Sequence, residues 1–147
     1  MADTLAQFTF LNGRTYYSIS SLIQDSATLL LTRTGANDPD FNLRREPAFI
    51  IRKNGKDQVF VNMIEIHGKM DPVVEISSQS YPSVQQIMLL QQNGDFTIVR
   101  VKLAGKELLL AQCNNDFTPK TKHITDVAGK KLEWNGPYAV WYEGKQL

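Results

Sequence analysis

Four Asn-Gly pairs, Asn12-Gly13, Asn54-Gly55, Asn93-Gly94 and Asn135-Gly136, constrain this chain more than any other feature. Asn-Gly is the strongest short-range hairpin signal, because a type I′ turn needs positive φ at both central residues. Each pair sits between β-rich segments. The first joins Phe8-Thr9-Phe10-Leu11 to Thr15-Tyr16-Tyr17-Ser18-Ile19, and the second joins Ala48 to Arg52 with Gln58 to Ile66. The third joins Ile87-Met88-Leu89-Leu90 to Phe96 and the five residues after it, and the fourth joins Leu132-Glu133-Trp134 to Tyr138-Ala139-Val140-Trp141-Tyr142. All four are expected to be hairpins.

A further turn at Ala104-Gly105-Lys106 makes Ile87 to Cys113 a three-stranded antiparallel meander. Within it Val99, Val101 and Leu103 alternate with Arg100 and Lys102, a period of two that predicts one buried and one solvated face. Helix signals are thin. Ser20 to Leu31 has room for a short helical turn, and Tyr81 to Gln86 reads as a turn entering a strand. About ten strands spaced by roughly 8–12 residues predict an all-β fold, an antiparallel β-sandwich of hairpins and meanders with little or no helix. Residues 1–147 read as a single domain, with no repeat, low-complexity tract or linker.

Composition narrows the functional classes. Sixteen basic residues against fifteen acidic ones leave a net charge of +1, too balanced for a dedicated nucleic-acid binder that must neutralise many phosphates. No apolar run approaches the roughly 20 residues of a membrane span. The start, Met-Ala-Asp-Thr-Leu-Ala-Gln, lacks the basic-then-apolar pattern of a signal peptide and is what an excised domain would show. Cys113 stands alone after an apolar run, as a buried small hydrophobe does.

Signs of chemistry are sparse. The two histidines, His67 and His123, fall in no metal-ligand pattern, so no metal and no cofactor is expected in this chain. His67 closes an apolar strand beside Gly68, where it either bonds nearby backbone or sits on a binding rim. His123 follows Lys120-Thr121-Lys122 and reads as a solvated loop residue. There is no G-x-S-x-G elbow and no phosphate loop, and Asp38 and Asp40 flanking Pro39 read as turn formers. No catalytic residues are assigned.

Binding candidates are more numerous. Tyr16 and Tyr17 point to opposite faces of one strand, so one of them faces away from the core. Trp134, Tyr138, Trp141 and Tyr142 crowd the C-terminal segment, either filling the core or offering flat platforms to sugar rings. Between Thr32 and Arg52 lies a dense block holding Arg33, Arg44, Arg45, Arg52, Asp38, Asp40 and Glu46. Arg44 and Arg45, being adjacent, send their side chains opposite ways. One is free to pair within the loop, and the other to meet a carboxylate or sulfate through a bidentate bond. The substrate-binding candidates are therefore Arg44, Arg45, His67, Tyr17, Trp134 and Trp141.

The run Arg33-Thr-Gly-Ala-Asn-Asp-Pro-Asp-Phe-Asn-Leu-Arg-Arg-Glu-Pro-Ala-Phe-Ile-Ile-Arg52 resembles the C-terminal β-domain of heparinase II/III-like polysaccharide lyases, nearest the alginate and oligo-alginate lyase branch. Val59-Phe60-Val61-Asn62-Met63-Ile64-Glu65-Ile66-His67-Gly68 and Pro72-Val73-Val74-Glu75 continue the resemblance. It implies a parent with an N-terminal α/α-toroid that cleaves uronic-acid polysaccharides by β-elimination. In that reaction a base takes the proton α to the carboxylate and an acid protonates the leaving oxygen. The family's Tyr, His and Asn catalytic residues and its metal ligands have no counterpart motif here. The resemblance thus implies a non-catalytic C-terminal module whose partner is the missing N-terminal catalytic portion, exported to the periplasm or outside the cell, with acidic polysaccharide as a second partner. A free-standing carbohydrate-binding module for anionic glycans is the alternative. A purely structural role predicts instead an exposed apolar patch that the parent would cover.

Overall fold

The computed structural model describes residues 4–35 and 45–147, with the side chains at 34, 35, 45 and 46 not among those described. These residues form thirteen strands in four antiparallel sheets, and no described residue is helical. The all-β expectation holds. Ser20 to Leu31 carries no helical turn: strand β2 (Thr15–Ile23) and strand β3 (Thr28–Gly35) meet at a tight turn in which the Ala27 amide donates to the Gln24 carbonyl.

The first sheet has the order β1-β2-β5-β6, with β1 at Thr4–Asn12, β5 at Asn62–Asp71 and β6 at Ile76–Ser78. The second, of five strands, has the order β13-β12-β9-β8-β7. It contains the expected meander, β7 (Val84–Gln92), β8 (Phe96–Leu103) and β9 (Lys106–Cys113), extended by β12 (Tyr138–Tyr142) and β13 (Lys145–Gln146). Two separate hairpins complete the fold: β3 with β4 (Arg45–Arg52), and β10 (Lys122–Val127) with β11 (Lys130–Asn135).

Only two of the four Asn-Gly pairs close hairpins, and none of the four asparagines has positive φ. Asn12-Gly13 turns β1 into β2, with Gly13 alone at φ 61. Asn93-Gly94 turns β7 into β8 through its side chain: Asn93 Oδ1 accepts from the amides of Asp95 (2.9 Å) and Phe96 (2.7 Å). The other two pairs are crossings between sheets. Asn54-Gly55 leaves β4, which pairs with β3, and leads towards β5, which pairs with β2. Asn135-Gly136 leaves β11 and enters β12, whose partner is β9. Positive φ at both central residues occurs instead at Ala128-Gly129 (52° and 77°) and Glu143-Gly144 (51° and 77°). These are the tight turns of the β10–β11 and β12–β13 hairpins, and Asp126 Oδ1 braces the first by accepting from the Gly129 amide.

The five-stranded sheet separates two cores. On one face Val84, Ile87, Val99 and Val101 meet Leu22 of β2, joined by Leu5 and Met63 of the first sheet. On the other, Ile98, Ala111 and Ala139 meet Val127 and Trp134 of the β10–β11 hairpin. The face of β8 expected to be solvated therefore carries Ile98, a fully buried residue. The first sheet, the five-stranded sheet and the β10–β11 hairpin thus stack in that order, and the β3–β4 hairpin lies against the outer face of the first sheet. Each buried Ile, Leu or Val side chain contributes roughly 1.5–3 kcal/mol, so both faces of the five-stranded sheet are needed for stability.

Candidate functional site

The sequence-level candidates scatter. Arg44 lies outside the described residues, and Arg45 opens β4 opposite Gly35 with its side chain undescribed. Tyr17 stands on the outer face of the first sheet, stacked on Phe10 at 5.5 Å. Trp134 is 2% exposed and belongs to the second core, so no ring face is open to a sugar. His123 is not the solvated loop residue expected: it lies in β10, is 7% exposed, and packs beside Phe96 and Trp134. The aromatic surroundings draw it inward, because Val127 and Thr125 alternate on the same inward side of the strand.

His67 is central to β5 rather than at its end, and its polar contacts run in one direction. Nδ1 lies 2.8 Å from the Gln79 carbonyl, which only accepts, so Nδ1 carries the proton. In the neutral ring Nε2 then accepts from the Ser18 hydroxyl at 2.8 Å, and Ser18 Oγ in turn accepts from Thr9 Oγ1 at 2.6 Å. Tyr16 stacks on the imidazole and its hydroxyl contacts Ser77. A serine bonded to a histidine has the spacing of a nucleophile and base, but Ser18 is 0% exposed and no substrate atom reaches it. The chain of bonds instead ties β1, β2 and β5 to the segment after β6. His67→Ala leaves the Ser18 hydroxyl buried without its acceptor and is expected to cost about 1–3 kcal/mol. Urea denaturation measures this, and an unchanged midpoint would refute the structural role.

A different group of residues does come together. The registers place Trp141, Leu109 and Arg100 in one row across β12, β9 and β8, on the face that holds Ile98, Ala111 and Ala139. The β10–β11 hairpin covers the Ile98 row and stops short of the Trp141 row. Its end, from Val127 to Leu132, forms the other wall of a cleft of about 400 Å³. Arg100, Lys130 and Lys131 line it against a single carboxylate, Glu107. Among the described residues none of these three cations makes an ion pair. Arg100 Nε is buried without a hydrogen-bond partner, and Nη2 has only the Met88 sulfur at 3.4 Å, a weak acceptor. Of the sequence-level candidates Trp141 alone belongs to this cleft. Arg100 was visible in the sequence only as a polar residue in an alternating strand, and no local signal joined it to Lys130 and Lys131.

The charged groups nearby are arranged differently. Glu133, on the exposed side of β11, is held below the ordinary carboxylate range first by its bond with Lys122. Lys106 lies over the Tyr142 ring at 5.5 Å and is raised above the ordinary lysine range first by the Tyr142 hydroxyl.

The outer face of the first sheet is apolar where a solvated face is ordinarily polar. Register aligns Phe10, Tyr17 and Ile66, and beside them Phe8, Ile19 and Ile64. The β3–β4 hairpin reaches part of this face through Phe49, stacked on Phe8 at 3.8 Å. Beyond it Ile64, Ile66 and Ile76 remain 68%, 67% and 64% exposed, and Leu31 of the hairpin 73%. An open groove lined by Ile19, Phe49, Ile51, Phe60 and Ile64 runs between hairpin and sheet.

Comparison with known proteins gives this fold a context. Over 132 residues, 88% of the chain, it is 35% identical to an alginate lyase of Stenotrophomonas maltophilia, covering 17% of that protein. Over 140 residues, 92% of the chain, it is 27% identical to an exo-oligoalginate lyase of Saccharophagus degradans, covering 19% of it. The chain thus spans less than a fifth of the length of the curated relatives it matches. No family model matches the chain. It is a domain related to part of these polysaccharide lyases.

Proposed function

We propose that this domain is a non-catalytic β-sandwich module from the C-terminal end of a heparinase II/III-like lyase, docked by the outer face of its first sheet on the catalytic portion. The parent enzyme cleaves uronic-acid polysaccharide by β-elimination, in the periplasm or outside the cell. The observation that carries the reading is the ladder of exposed Ile64, Ile66 and Ile76, on the part of a sheet face that the β3–β4 hairpin leaves open. An apolar surface of this kind, on a domain whose relatives are several times longer, is what an interdomain contact leaves behind when it is drawn alone. Both histidines support the non-catalytic part, since His67 is committed to Ser18 and Gln79 and His123 is enclosed by aromatic rings.

Mixing the chain with the separately expressed catalytic remainder of its parent lyase tests the docking. A one-to-one complex is expected in sedimentation velocity. Ile64→Lys/Ile66→Lys is expected to weaken it at least a hundredfold, because each isoleucine forfeits about 1.5–3 kcal/mol of burial. Both positions are already exposed, so the variant keeps its fold. A complex indifferent to this double change, or none at all, would reject the docking face.

A further inference from the structure

The cleft at Trp141 shares the layer of the second core, on the far side of the five-stranded sheet from the apolar docking face, with the first core between them. A module docked through Ile64 and Ile66 therefore leaves this cleft open. Its chemistry is specific. Arg100 and Lys130 face one carboxylate, Glu107, while Lys131 borders the rim from the outward side of β11, opposite Asp126 and beside Glu133. The Nε of the arginine is buried with nothing to bond. A guanidinium offers five N–H donors in a planar fork, and Met88 sulfur is poor compensation for burying one edge of it. A carboxylate is the ligand group that such a fork takes in a bidentate manner.

Beside that fork stand the indole of Trp141 and the side chains of Leu109, Leu90 and Leu132. The ligand that satisfies both halves carries an anionic group and an apolar face that together span the two strand spacings, about 10 Å, from Arg100 across Leu109 to Trp141. A pyranose bearing a carboxylate meets this description: its C–H face lies on an indole while its carboxylate reaches the arginine. Lys130 and Lys131 open the strand leaving the Ala128-Gly129 turn, both exposed, where they attract a polyanion before it seats.

We propose that this cleft is a non-catalytic binding site for an acidic carbohydrate, holding a uronate residue between Trp141 and Arg100. The proposal deepens the reading of the domain as a uronate-lyase module and rests on it for the identity of the sugar. It assigns the anion contact to Arg100 and Lys130, with Lys131 steering the polyanion from the rim.

Isothermal titration of the full chain with alginate oligosaccharides tests it, alongside neutral cello-oligosaccharides of equal length and inorganic sulfate. Binding is expected for the uronate oligomers alone, and it weakens as salt is raised. Lys130→Glu/Lys131→Glu alters two exposed positions and is expected to reduce affinity tenfold or more without changing the unfolding midpoint. Arg100→Lys keeps the charge but removes the fork, and is expected to lose about tenfold, the scale of one charge-assisted hydrogen bond. No binding at millimolar oligomer, or binding unmoved by the lysine reversal, would overturn the site. Equal binding of the neutral oligomer would overturn the anion contact, and equal binding of sulfate would overturn the sugar contact. These outcomes are independent of docking: a chain that still joins its catalytic partner but binds no uronate loses this site alone.

Discussion

Gly68→Ala is expected to destabilise the domain by more than about 2 kcal/mol, on a scale where most single changes cost about 1. Gly68 has φ +54, and a Cβ there would lie 2.2 Å from the Gln79 carbonyl oxygen and 2.4 Å from that of Ser78. Both obstacles are backbone, so no rotamer change relieves them. The residue is the extra one in a β-bulge: Thr15 pairs with Lys69 while Tyr16 pairs with His67, which leaves Gly68 unopposed. Moving the segment after β6 aside would break the bond from His67 Nδ1 to the Gln79 carbonyl and disturb the pairing of β5 with β6. Gly105→Ala serves as the control, since Gly105 has φ +73 but nothing within 4 Å of the added carbon. Conformational strain alone then costs roughly 1–2 kcal/mol. Urea denaturation of the two variants separates strain from collision. Equal losses at the two sites would refute the close approach at Gly68.

The same bulge shows what was legible in the sequence and what was not. Alternation in β8 and the Ala104-Gly105 turn are local signals, and the meander they predict is present. Partner choice is not local. Asn54-Gly55 and Asn135-Gly136 specify a change of direction, yet nothing in either dipeptide says whether the flanking strands pair with each other or join different sheets. Ala128-Gly129 and Glu143-Gly144 close tight hairpins without an asparagine, because the glycine and the twist of the flanking strands tolerate one residue of modest αL cost. Polar residues misled in a second way. Arg100 alternates with Val99 and Val101 and so resembles a solvated position. A guanidinium on a long aliphatic stem can instead lie beside a buried row such as Ile98, and it does so here. The cleft needed Arg100, Lys130 and Trp141 from three distant segments, which only the crossing at Asn135-Gly136 brings together. The Arg-rich block that carried the family resemblance is described only in its flanks, as β3 and β4.

The two tryptophans were indistinguishable as aromatic residues of one C-terminal segment, and their substitution is expected to separate them. Trp134→Ala is expected to cost about 3–5 kcal/mol, the range for deleting a large aromatic side chain from a core. The ring meets Phe96 edge-on at 5.3 Å and Trp141 at 6.2 Å, and it lies 5.4 Å from His123. It is also the hairpin's main hold on Ile98, Ala111 and Ala139. Its Nε1 has no hydrogen-bond partner, so the loss is one of packing, and Trp134→Phe is expected to recover most of it. Trp141 is only half-buried, so Trp141→Ala costs less stability but removes the apolar wall of the cleft. Calorimetric unfolding and uronate titration should therefore rank the variants in opposite orders. Trp134→Phe is expected to keep its affinity, whereas Trp141→Ala stays folded and loses it. A Trp134→Ala protein as stable as the parent would mean that the β10–β11 hairpin is not anchored by this ring. The wall that carries Lys130 and Lys131 would then have to be held by Val127 and Leu132 alone.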